Sequence, residues 1–441
     1  MVVKVRQVRY ARQAFALVFG LLAVTTTRSA RAEDGARSGA CSAIVLANVA
    51  GCAMASSAAV RAERFGVDAA KGRRTAAAPW FPANPTLALT ASQRHGLTET
   101  PANVVNYSAS LSQEVAFAGQ RASNRRALDA EIGARSEDTT ATSRRVIAAA
   151  YVAYFDALAA RDALVVARRL EQTGEQVLRV TRARADLGVG SALDAEMGEA
   201  TALRYAQARV EAERRERIAL ASLSASLGRD PLREGVRVDG VLEPLSGAST
   251  VAAAPSSELA RQRPEVRAIH HEERAHIERA EAARRSRIPS ITFQLFAQND
   301  GFNERVLGGG IALPITLPQP VGHSYIGQIA ESEALARQAA SRAEQLARSF
   351  SGELAEALAS YDAARAETAL YTPERLTRAE SMLFDIAKEI EAGRVAVRDA
   401  VVAQRELIDV VRGYIEARRS LSVASVDLLL ASGASLEGRQ P

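Results

Sequence analysis

Rings are scarce in this chain: aromatic residues make up 5% of its 441 positions, with a single tryptophan, while 47% are apolar and alanine is everywhere. That is the composition of long helices. Charge of one sign is scarce too. The 56 Lys and Arg nearly balance 51 Asp and Glu, and several of the excess cations fall in the first dozen residues. Acids and bases interleave along the remainder as on a solvated face, which argues against nucleic-acid binding. Only five histidines occur, and they form no plausible catalytic set with an activated serine or cysteine, so hydrolase chemistry is poorly supported.

Long hydrophobic runs are missing as well. The apolar stretch Ala14 to Val24 follows Lys4, Arg6, Arg9 and Arg12 and precedes Ala30-Arg31-Ala32. It reads as a secretory signal peptide over residues 1–32, too short to span the ~30 Å of a bilayer core. No later segment offers ~20 uninterrupted apolar residues. An exported chain without a spanning helix is either soluble outside the membrane or crosses one as a barrel. The two cysteines, Cys41 and Cys52, lie eleven residues apart. On one helix they would point apart and fail to bridge. A second reading takes Val49-Ala50-Gly51-Cys52 as a lipobox, with Cys52 lipidated, although its distance from Met1 argues against that.

What is present is a repeat. In Ala185-Asp186-Leu187-Gly188-Val189-Gly190-Ser191-Ala192-Leu193-Asp194 a glycine precedes an aspartate by six residues, and Glu391-Ala392-Gly393-Arg394-Val395-Ala396-Val397-Arg398-Asp399 repeats that spacing 205 residues later. Gly228 and Gly433 close the following runs at the same offset. Matching internal spacing indicates a duplication. Glycine between two helical patterns suits a tight reversal, so each copy is expected to be the tip of a long helical hairpin.

Taken in order, Ala43 to about Ala78 reads as a weakly amphipathic helix, stopped by Pro79, Pro82 and Pro85. The period then changes to two: Leu87, Leu89 and Ala91, and after a polar loop Val105, Tyr107, Ala109 and Leu111, alternate with small polar residues. From Gln120 to Leu187 the pattern is helical, a length of ~100 Å at the usual rise per residue. The run from Ser191 to Leu227 returns from the tip, and a linker rich in Gly, Pro and Ser follows. In the second copy, Glu258 to Arg287 is helical, Ile291 to Ala297 and Leu307 to Leu317 alternate with Phe296 breaking the polar face, and Gly322 opens another long run. Pro373 should kink or break that run. A final helix runs from Val395 to about Leu430. The expected divisions are a first repeat at 33–228, a linker at 229–257, a second repeat at 258–433 and a disordered tail at 434–441.

Each copy thus supplies two strands, four per chain. A membrane barrel needs at least about eight, and an open edge in hydrocarbon costs several kcal/mol per unpaired group. If these strands span a membrane, several chains must pool them, with Thr, Ser, Asn, Gln and Gly facing the water inside.

The duplicated layout, both G-x5-D tips and Phe117-Ala118-Gly119-Gln120-Arg121 after the first hairpin resemble the TolC family of outer membrane efflux proteins over about residues 43–433. The resemblance implies a mixed α-helical and transmembrane β-barrel fold, a homotrimer whose strands form one 12-stranded barrel above a long periplasmic α-helical tunnel. It implies the outer membrane of a Gram-negative bacterium, and a passive exit duct for a tripartite efflux or type I secretion system. The partners would be outer membrane lipid, a periplasmic adaptor of the membrane fusion type and an inner-membrane pump, with no enzyme activity, cofactor or metal. Leu187, Gly188, Val189, Ala392, Gly393 and Arg394 would be the tips where the adaptor docks, and Asp399 would line the closed periplasmic entrance with Asp194 as its counterpart. Val402 stands where some members carry a second acid. A plainer reading makes each aspartate an N-terminal charge favourable to the helix dipole.

His270, His271 and His276 with Glu272 and Glu273 invite a zinc site, but the histidines are not four apart as that motif requires. Tyr151, Tyr154, Tyr361 and Tyr414 are expected to pack between helices. The competing class is an exported periplasmic coiled-coil structural or adaptor protein without channel activity, which leaves the alternating strands unaccounted for. The cargo is not legible.

Overall fold

The computed structural model describes residues 41–94, 104–233, 235–299, 304–315, 317, 322 and 324–436. The expected signal peptide lies outside them. From Ala43 onward the chain forms one unit.

Its first elements are β1 (Ala43–Ile44), α1 (Val49–Ser56) and α2 (Ala58–Ala76). The single helix expected from Ala43 is therefore wrong at both ends of its first third. Asn48 accepts from the Val45 amide and donates to the Ala43 carbonyl, both at 2.9 Å, a side-chain turn that competes with helix. Ser57, with ψ at 115°, interrupts the run and caps α2 by accepting from the Val60 amide. The cysteine reading fails with it. Cys41 precedes α1 and does not share its helix, and both cysteines are disulfide-bonded. A disulfide-bonded Cys52 has no thiol left for a lipid.

Next come β2 (Thr86–Arg94), β3 (Val104–Val115), α3 (Gln120–Asp186) and α4 (Ala192–Ser226). The linker holds β4 (Arg237–Val238), which pairs parallel with β1, then α5 (Ser246–Ala253) and α6 (Ser257–Arg261). The second set is α7 (Pro264–Arg285), β5 (Ile291–Asn299), β6 (Arg305–Ala312), α8 (Ile326–Ala369), α9 (Pro373–Glu391) and α10 (Val397–Ser432). Both prolines act as helix starters. Pro264 and Pro373 open α7 and α9, where a missing amide costs nothing. Pro264 thereby divides the helix expected from Glu258, and Pro373 breaks the long second run.

The 67-residue α3 is the spine, ~100 Å long, and it packs along α4, α7, α2 and α10. Much of its buried face is alanine, including Ala127, Ala134, Ala150, Ala153 and Ala157, so neighbouring helices approach closely. Larger anchors punctuate that face: Leu158, Leu164 and Leu170 are almost fully buried, each worth about 1.5–3 kcal/mol. Glycines inside helices serve as notches. A Cβ on Gly174 would lie 2.8 Å from the ring of Tyr205, and one on Gly133 would lie 2.7 Å from His271. Gly413 likewise receives Tyr371. Of the four tyrosines expected between helices, Tyr151, Tyr154 and Tyr361 are buried and Tyr414 packs its ring on Tyr371.

The strands form one antiparallel sheet in the order β2-β3-β5-β6, so the two halves of the chain meet at the central pair. Register aligns Leu87, Leu111, Leu295 and Gly309 across it, and Leu89, Ala109, Ala297 and Leu307 in the next row of the same face. The opposite face carries Thr90, Ser108, Gln298 and Val306 in one row. At the base of the sheet, Gly119 (φ +77°) turns the chain into α3. Gln120 donates from Nε2 to the carbonyls of Arg285 and Ile288, tying the start of α3 to the end of α7. The corresponding entry to α8 is made by Tyr325 at φ +57°. The described chain continues past Gly433 to Leu436, which is buried, so the disorder expected from 434 does not hold for residues 434–436, and the rest of that expected tail lies outside the described residues.

Candidate functional site

The two tips are built alike, and backbone hydrogen bonds explain why. At the first, the Gly188 amide donates to the Ala185 carbonyl and the Val189 amide to that of Arg184, both at 3.0 Å. At the second, Gly393 donates to Ile390 and Arg394 to Glu389, also at 3.0 Å. This pair of bonds closes a helix with a left-handed residue, and Gly188 and Gly393 take φ of +74° and +69°. The G-x5-D spacing therefore encodes a helix stop, a short reversal and the first turn of the next helix.

Around them the expected docking residues face outward. Leu187 is 78% and Val189 66% exposed, and Ala392, Gly393 and Arg394 are exposed as well. Glu389 grips Arg394 through both oxygens, at 2.7 and 2.6 Å, which braces the second reversal. Beneath the tips lies an apolar floor of Val177, Ile386, Ile390, Val397 and Ala400. Arg184, which sequence reasoning passed over, joins the two hairpins. Its Nη1 donates to the carbonyl of Ile390 at 3.0 Å and of Glu391 at 3.4 Å. The only signal for it in the sequence is a cation in the last turn of α3, and that does not name its acceptor.

The two aspartates occupy the same helical position with different duties. Asp194 is the third residue of α4, and its Oδ2 accepts from the Ser191 amide while the Ser191 hydroxyl accepts from the Asp194 amide, each at 3.1 Å. This reciprocal cap was readable from Ser191-Ala192-Leu193-Asp194. Asp399 is the third residue of α10, but the preceding cap position is Ala396, which offers no side-chain bond. Asp399 is exposed. We expect Asp194→Ala to destabilise the first tip by about 0.5–2 kcal/mol. Asp399→Ala should cost only a few tenths, from the dipole alone. Urea unfolding midpoints of the two variants give the comparison, and equal losses would refute it.

The histidine cluster is dispersed by the fold. His271 fits against Gly133, and His270 Nδ1 lies 3.2 Å from Glu273. No group of metal-binding side chains occurs among the described residues.

The sheet is the second part of the site. Its apolar face is laid bare on a single chain: Leu89 is 72%, Leu295 64% and Leu307 86% exposed. Among the described residues its outer strands, β2 and β6, each have one edge without a partner strand. Among the described residues no helix is long and apolar enough to cross a membrane.

Comparison with known proteins follows this geometry. The profile of the outer membrane efflux protein family matches residues 49–229. No curated protein matches. Among solved structures the chain is similar to CusC, described as undergoing conformational changes on folding and transmembrane channel formation, with a TM-score of 0.74, 16% identity, and 88% of this chain and 92% of that chain covered. It is also similar to the outer membrane protein VceC of Vibrio cholerae, at TM-score 0.69 and 16% identity over 88% of this chain and 96% of that one. The open state of the MtrE outer membrane channel of Neisseria gonorrhoeae gives TM-score 0.69 and 17% identity, covering 90% of this chain and 91% of that chain.

Proposed function

We propose that this chain, a TolC-family outer membrane efflux protein, is the passive exit duct of an efflux or type I secretion system, and that three copies pool their strands into one barrel. On this reading the chain is a channel and not an enzyme. The observation that carries the reading is the sheet: four strands with a bare apolar face and two unpaired edges, seated on helices up to ~100 Å long. In hydrocarbon those edges leave backbone groups unpaired, and joining them to identical neighbours removes the cost. The apolar face then meets lipid in the outer membrane of a Gram-negative cell, and the Ser, Thr and Gln face lines water. The helices extend into the periplasm. A soluble coiled-coil protein of the cell envelope has no use for such a sheet.

In this arrangement the tips form the periplasmic mouth, and Leu187, Gly188, Val189, Ala392, Gly393 and Arg394 offer an adaptor its docking surface. Of the two aspartates, Asp399 is the better candidate for the constriction, because Asp194 is engaged in its helix cap. Three Asp399 carboxylates at a narrow point attract cations and hold multivalent ones. In planar bilayers the wild-type protein should conduct ions with a cation preference and be blocked by multivalent cations. Asp399→Ala should lose both properties. Recovery of the wild type as a soluble monomer would reject the duct, and a conducting Asp399→Ala channel with unaltered preference would reject the residue's role.

A further inference from the structure

Phe296 is out of place on the face it occupies. Strand alternation sets it with Thr292, Gln294 and Gln298, and register places it between Ser110 on β3 and Gly308 on β6. It is the one aromatic residue on the polar face among the described strand positions, and its cross-strand row otherwise holds Ala88, Ser110 and Gly308. A Cβ built on Gly308 would lie within 3.0 Å of three carbons of the Phe296 ring. The ring therefore lies over the glycine backbone, in the volume that any other side chain would fill. On the other face Leu295 lies 3.4 Å from the corresponding point on Gly309, an ordinary contact that crowds nothing.

We infer that Gly308 is the seat that holds the Phe296 ring against the wall of the duct, and that this pair sets the free bore of the barrel at that level. The inference rests on the channel reading, in which the polar face lines the lumen. The ring has no retreat outward, because the hydrogen-bonded backbones of β5 and β6 form the wall behind it. A side chain at position 308 therefore turns the ring toward the axis, and three-fold repetition places one ring from every chain at the same height. Gly308 is a positioning residue here: it never needs to meet the cargo, and it acts through where it leaves the ring.

The experiment is single-channel conductance in planar bilayers for wild type, Gly308→Val, Phe296→Ala and the double variant. Gly308→Val should lower conductance roughly twofold or more, as expected when a side-chain ring narrows a barrel lumen. Phe296→Ala alone should leave conductance at or slightly above the wild-type value. The double variant should recover it. Because valine is itself a good strand former, barrel assembly is expected to survive, and heat resistance of the oligomer on a gel checks this. Gly308→Ala, with a smaller intrusion, replaces valine if assembly fails. Equal conductance in the glycine variant and the wild type, or a double variant as narrow as Gly308→Val, would overturn the inference while leaving the duct intact. A wild-type protein that conducts nothing would instead count against the channel reading itself.

Discussion

Replacing Arg144 by alanine should cost this protein about 1.5–3 kcal/mol, through hydrogen bonds that a charged group makes to four carbonyls. Arg144 leaves the middle of α3 and donates to the carbonyls of Leu429 at 3.0 Å, Leu430 at 3.1 Å, Gly433 at 2.7 Å and Ala434. Leu429 and Leu430 belong to the last turn of α10, where they also accept from the Ser432 hydroxyl and the Gly433 amide, while Gly433 and Ala434 follow the helix. The guanidinium is half-buried, and burial holds its pKa below the ordinary value, although arginine stays charged throughout the working range. Alanine removes the cation and takes its donors from the Gly433 and Ala434 carbonyls, while Leu429 and Leu430 keep their second partners. Lysine should recover only part of the loss, since an ammonium cannot span four acceptors with a planar fork. Urea unfolding of the detergent-solubilised protein, followed by helical circular dichroism, measures this. A midpoint for Arg144→Ala indistinguishable from wild type would mean that α10 is held by its apolar contacts alone.

The second large effect concerns motion at the tips. Arg184→Ala removes both bonds between the first hairpin and the carbonyls of Ile390 and Glu391. Hydrogen bonds from a charged group are worth about 1.5–3 kcal/mol, so local opening of the last turn of α9 should become some ten- to a hundredfold more frequent. Amide exchange over residues 386–396 should accelerate accordingly, with exchange in the sheet-proximal part of α8 unchanged. On the proposed function, the freed second hairpin also raises the open fraction of the channel. Exchange rates in the tip that match the wild type would place the restraint in the apolar floor of Val177, Ile386 and Ile390 instead.

Regular periodicity was what made the fold legible. The tips, the presence of four strands and the extents of α3 and α4 follow from glycine spacing, alternation and the 3.6-residue pattern, each a local property of the chain, although β6 ends at Ala312 and not at the expected Leu317. The break at Pro373 was also visible, because a missing amide and a fixed φ act on adjacent residues. What escaped was non-local or very short. The two-residue pair of β1 and β4 joins segments nearly two hundred residues apart and leaves no period to detect. The disulfide was lost because a helix was drawn through Asn48, whose side chain closes a turn there. The rings that Gly133, Gly174 and Gly413 receive come from other elements, so no local pattern announces them. In the candidate site, the tips and the two aspartates were found from spacing. That Asp194 is occupied and Asp399 is not depends on the residue three places earlier, serine in one copy and alanine in the other.

The pairing of β3 with β5 sets the last strand of one hairpin beside the first strand of the next. In the ring proposed above, the seam between subunits joins β6 to a neighbouring β2, which is the same kind of junction. The seam within a chain and the seam between chains are then two versions of one contact, differing in whether a covalent linker crosses it. A half-length ancestor bearing a single hairpin would have closed the same cylinder with twice as many identical copies, and gene fusion would have tied them in pairs. What fusion adds is licence for the halves to diverge: one copy can keep a capped, rigid tip while the other is released to move.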